Sequence, residues 1–159
     1  MASTIYFVQS AALPTTAITA HTATGTSIKT LLQGTATSTR LIEIVGWRVD
    51  MDGSPDGTVE LIHTTTVAGG SPTAVTPTIW SNPTGAGAAA STWGFNPSSE
   101  GTVVSTTRVL DFWKPKANTY VNIFPLAERP VVPASGVVRV RCTMTTGANA
   151  LVGVWFMET

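Results

Sequence analysis

From Val137 to Thr145 the chain reads as a strand in which apolar and polar side chains alternate. Val138, Val140, Cys142 and Met144 share one face, and Arg139 and Arg141 share the other. A period of two marks a strand with one face on a core. The last segment, Leu151–Glu158, is different. Leu151, Trp155 and Met157 are apolar on one face, and Val152, Val154 and Phe156 on the other. A strand that is apolar on both faces is covered on both. It is therefore either central in its domain or lays one face against another subunit.

The same reading places strands at 27–33, 40–51, 58–65, 76–80, 91–95, 102–112 and 119–124. Gly46 is a candidate bulge in the longest of them. Asp52-Gly53-Ser54-Pro55-Asp56-Gly57 is dense turn chemistry, so the strands on either side of it predict a hairpin. Helix signals are nearly absent, since Ala88-Ala89-Ala90 sits beside Gly85 and Gly87. About eight short strands with Gly/Pro turns predict an all-β protein, an antiparallel β-sandwich with the jelly roll as its nearest analogue. Residues 1–26 predict an extended N-terminal arm, apolar at Ile5-Tyr6-Phe7-Val8 and without periodicity beyond. Residues 27–159 then form a single domain.

Charge changes the picture. The chain is only 11% charged, and no Asp, Glu, Lys or Arg occurs from Leu61 to Ser99 or in the first 28 residues. Ordinary soluble proteins are about a quarter charged. A long uncharged surface suits a protein that spreads over a partner and suits an enzyme poorly. Nine bases cancel nine acids. A neutral chain gains little from phosphate counterion release, so nucleic acid is not the expected partner. Near-zero net charge also favours association. No apolar run approaches the roughly 20 residues of a membrane helix. Ile5–Val8 follows no basic residue and does not read as a secretory signal.

Candidate chemistry is sparse. Asp50, Asp52 and Asp56 fall within eight residues, yet a calcium loop of the EF-hand type would have Pro55 where it needs Gly and Leu61 where it needs Glu. A solvated turn accounts for them. Gly85-Ala86-Gly87-Ala88-Ala89-Ala90 fits a dinucleotide-loop pattern, but not between a strand and a helix. No cofactor or metal is expected. His21 and His63 are the only imidazoles, and no G-x-S-x-G elbow accompanies them. Cys142, the only cysteine, lies on the apolar face of its strand and reads as buried. No enzyme is expected. Trp47, Trp80, Trp93, Trp113 and Trp155 are candidate core anchors, subunit contacts or sugar platforms. Arg108, Lys114 and Lys116 form a broken basic cluster, suited to a solvated strand end or an acidic neighbour.

The run Glu60-Leu61-Ile62-His63-Thr64-Thr65-Thr66-Val67-Ala68-Gly69-Gly70 closes with Thr73-Ala74-Val75-Thr76-Pro77. With the Ala/Gly-rich stretch Gly85–Ala90 and Arg129-Pro130-Val131-Val132-Pro133-Ala134-Ser135-Gly136, it resembles a family of small tailed-bacteriophage proteins. The resemblance covers roughly Arg40 to the C-terminus and implies a head decoration (cement) protein. Such proteins are β-rich, often trimeric, and sit on the outer surface of the capsid. The implied partners are the major capsid protein and two further copies in a homotrimer, with neither nucleic acid nor membrane. The contact residues expected on this reading are Ile5, Tyr6, Phe7, Val8, Trp80, Trp93 and Trp155. The alternative is a carbohydrate-binding β-sandwich of a tail tip or adhesin, which exposed Trp80 or Trp93 beside polar side chains would favour.

Overall fold

The computed structural model describes residues 4–11, 21–23 (backbone only), 27–53, 56–65, 68–81, 86–101, 106–116 and 118–159. Among the described residues thirteen strands follow one another: β1 Ile5–Gln9, β2 His21–Ala23, β3 Lys29–Thr35, β4 Ile42–Met51, β5 Gly57–Thr64, β6 Thr73–Val75 and β7 Thr78–Ser81. Then come β8 Thr92–Phe95, β9 Arg108–Trp113, β10 Thr119–Ile123, β11 Val131–Val132, β12 Val137–Met144 and β13 Ala148–Glu158. A 3-10 turn, Leu126–Glu128, lies between β10 and β11.

The strands form two antiparallel sheets that pack face to face. Sheet one has the order β10-β4-β13-β1-β7, with β11 also on β4 and β2 also on β13. Sheet two has the order β6-β8-β3-β12-β5-β9. Set aside β2, β6, β7, β8 and β11, and eight main strands remain. The first pairs with the eighth (β1 with β13) and the second with the seventh (β3 with β12). The third pairs with the sixth (β4 with β10) and the fourth with the fifth (β5 with β9). A long hairpin paired in this way and rolled up is the jelly-roll winding.

Two sequence expectations need correcting. The strands on either side of Asp52–Gly57 are not a hairpin, because β4 lies in sheet one and β5 in sheet two. β4 ends at Met51 in one sheet and β5 starts at Gly57 in the other, so the two do not pair. The N-terminal segment is not a free arm. β1 is inserted between β13 and β7, and β2 pairs with β13, so the domain starts well before residue 27. Tyr6 and Val8 face the core and are buried, and Tyr6 stacks on Phe156 at 5.4 Å. Five residues are too few to show a period of two, and the partner strand is at the other end of the chain.

The alternation of the remaining strands sets the core. Trp47 and Val49 of β4, Leu61 of β5, Val138 and Val140 of β12, and Val152, Val154 and Phe156 of β13 are all essentially inaccessible. Each such side chain contributes about 1.5–3 kcal/mol by leaving water. Cys142 is among them, and burial pushes its thiol up to about 12. A register shift opposite Trp155 and Phe156 leaves Val45 as the extra residue of β4, one place from the expected Gly46.

The uncharged stretch is an excursion between β5 and β9. It carries β6 and β8 to the edge of sheet two beyond β3, and β7 to the edge of sheet one beyond β1. The sandwich supplies polar partners that this stretch lacks. Gln33 holds both the N–H and the carbonyl of Gly69. Glu158 accepts from the N–H groups of Ala90 and Ser91, each at 2.8 Å, and from the Ser91 hydroxyl. Burial works against the Glu158 charge, but these bonds outweigh it and hold the carboxyl below its ordinary range.

Trp93 of β8 lies flat over Gly34, where an added Cβ would come within 2.7 Å of three ring atoms. Its ring also packs on Phe156 at 4.8 Å. Gly34→Val should therefore cost about 2–3 kcal/mol through overpacking, read as a lower urea midpoint. An unchanged midpoint would mean that Trp93 can move aside freely.

His63 faces inward on β5 and is 4% exposed, with no hydrogen-bond partner on either ring nitrogen. Burial lowers its pKa, and the charge of Arg108 acts in the same direction. The unfolded chain takes up a proton as pH falls through about 6.5, and the folded chain resists it. Stability is thus full above that pH and declines below it. The urea midpoint should drop between about pH 8 and pH 5, and His63→Leu should flatten the drop. An equally steep drop in the variant would place the acid sensitivity elsewhere.

Candidate interaction surface

Register across sheet one puts a single row of outward-facing positions at right angles to the strands. Thr78 of β7 lies opposite Phe7 of β1, Phe7 opposite Trp155 of β13, Trp155 opposite Gly46 of β4, and Gly46 opposite Ile123 of β10. Trp80 joins the row from an irregularity in the β1–β7 pairing. Phe7 and Trp155 rings are 4.9 Å apart, Phe7 and Trp80 5.5 Å, and Trp80 and Trp155 5.7 Å in an edge-on arrangement. Aromatic contacts of this kind add to simple burial.

Glycines shape the row. The Phe7 ring lies over Gly153, where a Cβ would approach it to 2.7 Å. Ile123 lies over Gly46, where a Cβ would meet its Cδ1 at 2.5 Å. The result is an apolar band crossing five strands, from Trp80 at 61% exposed to Ile123 at 55%. Val121, also about half exposed, borders it one row away.

The charges beside the band are already neutralised. Arg48 pairs with Asp50 at 2.5 Å, and Arg129 with Glu43 at 3.0 Å. A partner therefore meets an apolar surface beside which Arg48 and Asp50, and Arg129 and Glu43, already neutralise each other. One donor inside the band is left over: Trp155 Nε1–H is buried and has no acceptor. An unmet buried donor of this kind typically costs about 1–3 kcal/mol.

β10 is the strand that completes the band, and its pattern is inverted. Val121 and Ile123 face out, while Tyr120 and Asn122 face in. The cause is Asp111 of β9. Its Oδ2 accepts from Trp47 Nε1 at 2.8 Å, Tyr120 Oη at 2.9 Å and Asn122 Nδ2 at 2.7 Å. Burial, with help from Asp111, pushes the Tyr120 phenol up to about 12, which keeps it a donor. This bridge joins the two sheets at one edge of the sandwich.

The structure divides the sequence-predicted contact residues into two groups. Phe7, Trp80 and Trp155 come together in the band. Tyr6, Val8 and Trp93 lie in the core of this chain, and Ile5 is a partly buried residue at the start of β1. Ile123 and Val121 were missed by sequence reasoning. The signal available was the apolar-out, polar-in order of Thr119–Ile123.

The other candidate groups are scattered. His63 lies opposite Val138, and Cys142 is four residues further along β12, about 13 Å at strand spacing. Asp50 is held by Arg48, and Asp52 by the side chain and N–H of Asn149. Among the described residues no three His, Cys, Asp or Glu converge to hold a metal. No helix among the described residues is long and apolar enough to cross a membrane. No protein-family model, curated protein or solved structure matches the chain.

Proposed function

We propose that this chain is a structural virion protein of a tailed bacteriophage, which binds the outer surface of the assembled capsid and bridges neighbouring major capsid subunits. The observation that carries the reading is the neutral apolar band on sheet one, set on a rigid jelly roll. A ligand that binds only the assembled shell stabilises it by mass action. Such a protein needs a stiff body, a broad apolar contact and little charge, and the band supplies the contact. Trp80, Ile123 and Val121, each more than half exposed, and Phe7 and Trp155 between them put apolar side chains on one face, the kind of surface that marks interaction sites. A trimer would add avidity from three weak contacts. The resemblance of the segments at 60–77 and 129–136 to decoration proteins points the same way.

The test is co-sedimentation with shells of the same virus that lack this protein. Saturable binding, with a shell that then resists heat and chelation longer, is the expected result. Absence of binding to intact shells would overturn the reading.

One observation favours a second reading, a carbohydrate-binding domain: Trp80 is exposed, with Ser81 next to it and Thr78 two residues before it on the strand. Its ring is engaged by Phe7 and Trp155, which leaves less of it for a sugar. Glycan-array binding that Trp80→Ala removes, together with failure to bind shells, would select that reading.

A further inference from the structure

A second surface lies on the opposite sheet. β9 is the edge strand of sheet two and pairs only with β5 among the described residues. No described strand pairs with its outer side. The N–H of Phe112 is already held by Asp111 Oδ1, so an added strand would register on the groups to either side. Val109 and Phe112 are 51% and 57% exposed and stand opposite Ile62 and Glu60 on the outward side of the sheet.

Charge is the second observation. Every charged side chain of the protein lies among the described residues, and five ion pairs neutralise five of the nine bases. Arg108, Lys114 and Lys116 are exposed and belong to none of these pairs. All three sit on β9 or just after it.

Rigidity is the third. Asp111 ties β9 to three side chains of sheet one, and Trp113 stacks on Tyr120 at 5.5 Å. An edge that is already ordered loses little freedom when something binds to it.

We infer that β9 is a docking edge for an acidic, extended segment of a neighbouring protein, which adds as a further strand of sheet two. Main-chain hydrogen bonds would supply affinity, as in other strand additions. Carboxylates on the added strand would meet Arg108, Lys114 and Lys116, and apolar side chains would cover Val109 and Phe112. Nucleic acid fits less well, because the cations form no continuous stripe and two apolar side chains lie between them. Lysines on an edge also guard against strand-to-strand aggregation. The inference does not rest on the capsid reading, since it concerns the other sheet and its test needs no shell.

The probe is a short labelled peptide alternating Glu and Val. A Lys–Val peptide and a single-stranded oligonucleotide of equal negative charge serve as comparisons. The acidic peptide should bind at least about tenfold tighter than the basic one, with amide shifts centred on residues 108–114. R108Q/K114Q/K116Q should weaken it by about tenfold, as three exposed ion pairs would. Phe112→Ser should weaken it as well. These side chains are exposed, so an unchanged urea midpoint will confirm that the variants fold. Equal affinity for the two peptides, undiminished binding by the triple variant, or equally tight binding of the oligonucleotide would each overturn the inference.

Discussion

Asp111→Ala should lower stability by about 3 kcal/mol or more, because one carboxylate oxygen satisfies three side-chain donors at once. Trp47 is wholly buried, so its Nε1–H would have no water to turn to. Tyr120 and Asn122 are partly exposed and can recover some hydration. For a domain of this size the loss corresponds to a fall of about 6–12 °C in Tm. The effect should not be additive. Trp47→Phe in the Asp111→Ala background removes the orphaned donor, so the double variant should cost less than the two single ones together. Strict additivity would show that the bridge is not a unit. The loss should also reach the interaction surface. Asp111 draws Tyr120 and Asn122 inward and so turns Val121 and Ile123 outward. Without it β10 loses its reason for the inverted pattern, and the aliphatic end of the band should loosen.

Trp80→Asp combined with Ile123→Asp should weaken attachment to shells by about 100-fold or more while leaving the fold intact. Large apolar side chains that a contact covers can each carry about 2 kcal/mol or more of binding. Each aspartate also brings a charge that the internally paired face cannot neutralise. Both side chains are more than half exposed, so unfolding should shift by no more than about 0.5 kcal/mol. Thr146→Asp, exposed in the turn between β12 and β13, is the matched control and should bind as the parent does. A double variant that attaches with parental affinity would remove the band from the account.

Strands with a long, clean signal were legible in the sequence. β12 showed its period of two, and β13 showed two apolar faces, which the structure explains. One face is core, and the other carries Trp155 within the band. β4 and β5 were also placed nearly to the residue, although the turn between them could not reveal that it spans two sheets. That is decided by which strands lie alongside, and these come from the other half of the chain. β1 was missed for the same reason: Ile5–Gln9 becomes a strand only because β13 is there to pair with it.

The interaction surface was legible in part. Phe7, Trp80 and Trp155 were chosen for their residue types, and the register later brought them together. Trp93 was chosen on the same ground and is core, because Gly34 opens room for its ring inside the sandwich. Residue type alone does not distinguish these cases. Ile123 and Val121 were hidden by an assumption that apolar means inward. A polar bridge inside the core reversed that assumption, and Asp111 is too far from Trp47 in sequence for the connection to show.

The most direct measurement is an electron cryomicroscopy map of shells saturated with the protein. The account predicts that the outer face of sheet one lies against the shell, with Trp80 and Ile123 covered at the contact. A map in which that face is turned to solvent, while another surface holds the shell, would contradict it.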